Sequence, residues 1–157
     1  DGLTRSDDFG RFRETRQLKD LYAFRTPSLI NVTVTGPWGH DGAYDTLEGI
    51  VRHHLNPTEA IDTFDWSALS EYVMTEYAGV NTQKALARLE YNRREGIDSI
   101  ENVDLTDAEV VDLLAFIEAL TDPCVTSEAC LEPWMPAEDE GDPDGQRLDA
   151  YLALTSE

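Results

Sequence analysis

The chain is predicted to be mostly α-helical, and three features carry that reading. Residues 45–55 and 106–120 each place apolar side chains at the i, i+3, i+4, i+7 spacing of one helix face, behind an N-terminal capping pattern. Residues 82–93 form a further helical run that Gly96 closes. Strand-like alternation is weak, with Leu29 to Thr35 the single short candidate.

In chain order, residues 1–45 come first as an irregular lead-in. Gly2, Gly10, Pro27, Gly36, Pro37, Gly39 and Gly42 interrupt any sustained period. Loops of this length in a domain generally wrap or bind something. The first clear helix has Asp45 as cap and Glu48 three residues on. Leu47, Ile50, Val51, His54 and Leu55 form its inward stripe, and Asn56-Pro57 ends it. A short helix is expected from Trp66 to Met74, with Trp66, Leu69, Tyr72 and Val73 inward. The next runs from Thr82 to Arg93. The strongest has Thr106 and Glu109 as a capping box and Val110, Leu113, Leu114, Ile117 and Leu120 as its stripe, with Asp122-Pro123 as its stop. Residues 1–123 read as one domain. Residues 124–157 read as a loop-rich acidic extension holding Glu138, Asp139, Glu140, Asp142 and Asp144, with a helical turn or two at Gln146 to Leu154.

Lys and Arg total 12 against 32 Asp and Glu, a formal charge of −20. Such a surface repels phosphate backbones and anionic lipid, so neither nucleic acid nor membrane is an expected partner. It suits basic partners, cations or plain solubility. No run of ~18 apolar residues is present to span a bilayer. The sequence opens at Asp1 without a Met or a signal-like run, as a trimmed or excised piece of a longer chain would. Cys124 and Cys130 are the two cysteines. Their spacing is not Cys-x-x-Cys and no histidine is nearby in sequence, so a short disulfide is a better reading than zinc, and it implies an oxidising compartment.

The histidines are His40, His53 and His54. His54 lies on the apolar stripe, where a buried imidazole needs partners for its ring nitrogens. A backbone carbonyl or a buried metal or haem iron would each serve. His53 is about 100° round the helix and is expected to face outward. His40 sits in Gly-Pro-Trp-Gly-His-Asp-Gly, which is either a tight turn or a site element. No Cys-x-x-Cys-His haem attachment motif is present.

The run Tyr22-Ala-Phe-Arg-Thr-Pro-Ser-Leu-Ile-Asn-Val-Thr-Val-Thr-Gly-Pro-Trp-Gly-His-Asp-Gly42, followed by Thr46-Leu-Glu-Gly-Ile-Val-Arg-His-His54, resembles the bacterial di-haem cytochrome c peroxidase family. That family includes the branch that matures tryptophan tryptophylquinone. Leu105 to Thr121 is similar to the family's closing helix, and the resemblance covers roughly residues 10–136.

The resemblance implies a cytochrome c-like helical domain that is incomplete at its N-terminus. It corresponds to the second of two haem domains, with the attachment motif upstream of Asp1. The implied cofactor is haem c. The implied function is the periplasmic or otherwise exported electron-transfer half, which passes electrons from a small donor protein to a peroxidatic haem in the missing half. The chain alone is then not a competent peroxidase.

The family position for the axial ligand falls on His54. Bis-histidine ligation lowers the reduction potential relative to His/Met. The resemblance also implies Arg25 near a haem propionate, His40 near the interdomain region, and backbone oxygens of Thr35 and Pro37 on an interdomain calcium. Ile30 stands where many members have Arg. The periplasmic context it implies agrees with a Cys124–Cys130 disulfide. The alternative is a haem-free metal-binding or structural fragment, in which His40 and His54 hold copper or zinc. Loss of haem from beneath the stripe would favour self-association.

Overall fold

A computed structural model describes residues 7–69, 75–97 and 100–134. The chain is mostly α, with the helices of a cytochrome c-like domain and no strand beyond isolated bridges among the described residues. The helices are α1 (Phe12–Thr15), α2 (Leu47–Leu55), α3 (Pro57–Asp62), α4 (Thr75–Arg94), α5 (Asp107–Glu118) and α6 (Glu128–Leu131). Helix α2 packs on α3 and α5, and α3 packs on α4.

Helix α5 forms as its sequence dictates. The Thr106 hydroxyl accepts from the Glu109 amide, and the Glu109 carboxylate accepts from the Thr106 amide at 2.8 Å. The Thr106 amide and hydroxyl both donate to the Glu109 carboxylate and hold it below its ordinary pKa. Val110 and Ile117, seven residues apart on one face, are buried, with Val110 only 1% exposed. Leu86 of α4 and Ile61 of α3 complete the buried apolar set among the described residues. Leu113, Leu114 and Leu120 are half-buried. Helix α4 begins earlier than the sequence suggests. Past its end Gly96 takes φ +67°, as a helix-terminating glycine does.

The core is thin. Phe24, Leu29, Ile30, Val103, Val111 and Phe116 are among the large apolar residues left exposed. Helix α5 itself carries two of these, on either side of its buried face. A helix apolar on most sides is built to be covered more fully than this chain covers it.

Four expectations need correction. The cap of α2 is Thr46, whose hydroxyl accepts from the Gly49 amide at 3.1 Å. Glu48 pairs instead with Arg52, so no Asp45 box forms. Asn56-Pro57 ends α2 but also starts α3. Pro57 is its first residue, where a missing N–H costs nothing, and Asn56 caps the Glu59 amide. Leu29 to Thr35 is not a strand. Asn31 takes φ +62° and Val32–Val34 is a 3-10 turn, because Asn31 and Thr33 bond the end of α5. The Trp66 helix reduces to a 3-10 turn, Trp66–Ala68, with Trp66 exposed; Tyr72 and Val73 lie outside the described residues, as does the acidic segment 138–144.

The lead-in is irregular as expected, though it contains α1 and a 3-10 turn at Leu18–Asp20. Asp20, 3% exposed, is paired with Arg11, and that bond lowers its pKa. Cys124 and Cys130 form the disulfide that spans the 3-10 turn Pro123–Thr126 and α6.

Candidate functional site

The site is built by a hairpin held against a helix. Trp38 and Tyr44 exchange backbone hydrogen bonds at 2.7 and 3.0 Å, which closes a loop with His40-Asp41 at its tip. Gly39 and Gly42 flank that tip at φ +90° and +71°, conformations that a side chain disfavours. The Trp38 indole N–H donates to the Val32 carbonyl at 2.7 Å. The same 3-10 turn is fixed to the end of α5: the Asn31 side chain accepts from the Asp122 amide at 2.7 Å, and the Thr33 and Thr121 hydroxyls are bonded. The hairpin is therefore referenced to the best-formed helix of the chain.

Tyr44 joins the hairpin to α2. Its ring packs edge-on against Phe64, and its hydroxyl lies 2.8 Å from Nδ1 of His53. Gly49 makes room, since a Cβ there would stand 3.0 Å from the Tyr44 ring and 2.9 Å from the Thr46 hydroxyl. Tyr44 is half-buried. Burial pushes its phenol pKa up, and Asp41 adds to the shift. Burial pushes the His53 imidazole below its ordinary 6.5; neighbouring His54 adds to this and Asp41 opposes it.

The burial of the two histidines is the reverse of the sequence expectation. His53 is half-buried against Tyr44, and His54 is exposed. The apolar period locates the stripe on α2 correctly, for Leu47, Ile50, Val51 and Leu55 are all half-buried. It does not say which neighbour covers which edge, and here the hairpin covers the His53 edge.

The His54 ring is nonetheless ordered. Its Nδ1 lies 2.8 Å from the Ile50 carbonyl, one turn back. A carbonyl only accepts, so Nδ1 carries the proton and the neutral ring keeps its lone pair on Nε2. No partner engages Nε2 among the described residues. A ligating histidine is oriented in this way, with one nitrogen donating to a backbone carbonyl and the other offered outward. The residues therefore fit an iron or other imidazole-binding metal at His54, beside a half-covered apolar stripe.

The other candidates are dispersed. The His40 ring stacks on Phe24 at 3.9 Å between centroids, which brings the exposed Arg25 segment beside the hairpin tip. Thr35 and Pro37 are exposed, as is Ile30. No group of three or more His, Cys, Asp or Glu able to hold a metal occurs among the described residues. Tyr44 is the residue that sequence reasoning missed. Its trace in the sequence is Gly49, a glycine in a helix's first turns where a neighbouring ring must approach.

A mostly α domain that offers an oriented histidine beside an apolar helix face is consistent with the cytochrome c-like class. Comparison with known proteins agrees. The chain is 30% identical to the cytochrome-c peroxidase IdrP1 of Denitromonas iodatirespirans over 122 residues, 77% of this chain and 24% of that protein. It is 29% identical to the IdrP1 of Pseudomonas sp. (strain SCT) over 133 residues, 83% of the chain and 26% of the relative. It is 37% identical to the methylamine utilization protein MauG of Methylorubrum extorquens over 60 residues, 37% of the chain and 17% of the relative. The chain is related, at modest identity, to the bacterial di-haem cytochrome c peroxidase family, as the resemblance implied. It spans about a quarter of the length of the IdrP1 relatives. No family model matches the chain, and no solved structure matches it significantly. No helix among the described residues is long and apolar enough to cross a membrane.

Proposed function

We propose that this chain is the electron-transfer part of a periplasmic di-haem cytochrome c peroxidase-like protein, with His54 as an axial ligand to haem c. The observation that carries the reading is the His54 ring itself: Nδ1 is tied to the Ile50 carbonyl, and Nε2 has no partner among the described residues, beside the stripe of Leu47, Ile50 and Val51. Bound haem would supply one-electron redox chemistry. The chain's own residues would orient the His54 imidazole and offer the half-buried α2 stripe as apolar surface for the group.

Electrons come from a small basic donor protein, drawn by a surface of net charge −20, and pass to a peroxidatic haem in the other domain. Arg25, placed beside the hairpin by the Phe24–His40 stack, serves a propionate, and His40 lies towards the domain interface. Thr35 and Pro37 offer backbone oxygens to a calcium. Two carbonyls are far short of the ~6–8 oxygens calcium takes, so the other domain completes that site. The exposed apolar side chains support burial against that domain or against a second copy.

Hemin titration of the full chain tests the reading. Wild type gives a histidine-coordinated Soret spectrum, His53→Ala keeps it, and His54→Ala loses it. Retention in His54→Ala with loss in His53→Ala overturns the assignment.

A further inference from the structure

Two adjacent histidines on one helix raise a question of choice, because each imidazole is a potential ligand. The structure treats them differently. His54 has Nδ1 on a carbonyl, and His53 has Nδ1 on a phenol. We propose that the Tyr44 hydroxyl donates to Nδ1 of His53, locks that ring as the Nε2–H tautomer and so withholds it as a ligand, leaving His54 the one histidine of the pair with a lone pair to offer. The proposal deepens the haem reading and rests on it for the identity of the metal, though not for the tautomers.

The direction of the Tyr44–His53 bond follows from the inventory of donors. A neutral imidazole has one N–H and one acceptor nitrogen. Were Nδ1 the donor, the phenolic proton would need another acceptor, and none engages the Tyr44 hydroxyl among the described residues. In a half-buried site an unmade bond of this kind is costly. With Tyr44 donating, Nδ1 of His53 is satisfied and Nε2 holds the proton, so no lone pair faces outward. The Tyr44 backbone is itself pinned by Trp38, and its ring sits in the space left by Gly49, so the hydroxyl is delivered by a rigid hairpin. Tyr44 is a positioning residue: it acts through His53, on which nitrogen is available.

Long-range proton–nitrogen correlation spectra of the full, labelled chain at neutral pH read the tautomers directly. His53 should appear as Nε2–H and His54 as Nδ1–H. Tyr44→Phe keeps the ring packing, and should convert His53 to a mixture and raise its acylation by diethyl pyrocarbonate about tenfold, the size of one net hydrogen bond.

Hemin titration then tests choice. His54→Ala should lose the histidine-coordinated Soret spectrum, and adding Tyr44→Phe to it should restore one through His53. Further replacement with His53→Phe should abolish it again, a reversal that a merely structural role for Tyr44 would not produce. His53 found as Nδ1–H in the wild type overturns the proposal, even if Tyr44→Phe fails to fold. So does a double variant, folded by its circular dichroism, that shows only the spectrum of unbound hemin. Wild type that refuses hemin while showing both tautomers as stated overturns the haem reading alone and keeps the lock.

Discussion

Helices α5 and α2 are both capped at the start by a threonine, yet they behave as opposites. Helix α5 has a full capping box, two buried residues on one face, and a C-terminal end held by Asn31 and Thr33. Helix α2 has a single cap bond, no buried residue, and a stripe that is covered only in part. The first is the better-buried element and the second carries the candidate site. Rigidity is concentrated in α5 and lent to α2 through the 3-10 turn, Trp38 and Tyr44. What remains uncovered on α2 is the face that a cofactor would use.

Substitutions in the two helices should sharpen that contrast. The largest effect is expected at Ile117, 6% exposed. Ile117→Ala should cost about 2–5 kcal/mol in urea unfolding, because the cavity opens in the small set of fully buried contacts. Leu47→Ala in α2 should cost clearly less, since its side chain is only half-buried. Equal losses would erase the distinction.

Next comes the staple beyond α5. Replacing Cys124 and Cys130 by Ser opens a loop with a sequence separation of 6. The chain-entropy relation sets its contribution at roughly 2 kcal/mol, measurable as a lower unfolding midpoint. Two free thiols in the denatured, unreduced protein would contradict the bond itself.

The caps follow. Thr106→Ala should destabilise by about 1 kcal/mol, and Thr46→Ala by no more. The Thr106 hydroxyl makes two bonds with Glu109, whereas the Thr46 hydroxyl makes one with Gly49. Helical circular dichroism during urea unfolding separates the two.

The smallest effect is one of pH. The folded-state pKa of His53 is depressed by burial, so the unfolded chain binds more protons below about 6.5. Stability should therefore be fully present above that value and decline as pH falls through it, and His53→Gln should flatten the decline. Glu109, held low by Thr106, adds a later loss: its contribution stands above the unfolded carboxylate pKa and disappears as pH falls through the folded one. The Arg52 pairs with Glu48 and Asp107 are exposed, so screening by salt should change stability little.

Local features were legible in the sequence because their causes are local. The Thr106–Glu109 box, the Gly96 stop, the Cys124–Cys130 pair and the predominance of helix follow from residues within a few positions of one another, and the resemblance around His-Asp-Gly led to the right relatives. The apolar period also marked the stripe of α2. It could not mark who covers each edge of it. That choice was made by Tyr44, nine residues from His53 in sequence and on a different element, and by a turn at Asn31 that takes its shape from bonds 91 residues away. Periodicity states which side chains share a face; only packing of separate elements decides which of them is buried. For that physical reason the two histidines exchanged their expected environments, while the helix that bears them was found where the sequence put it.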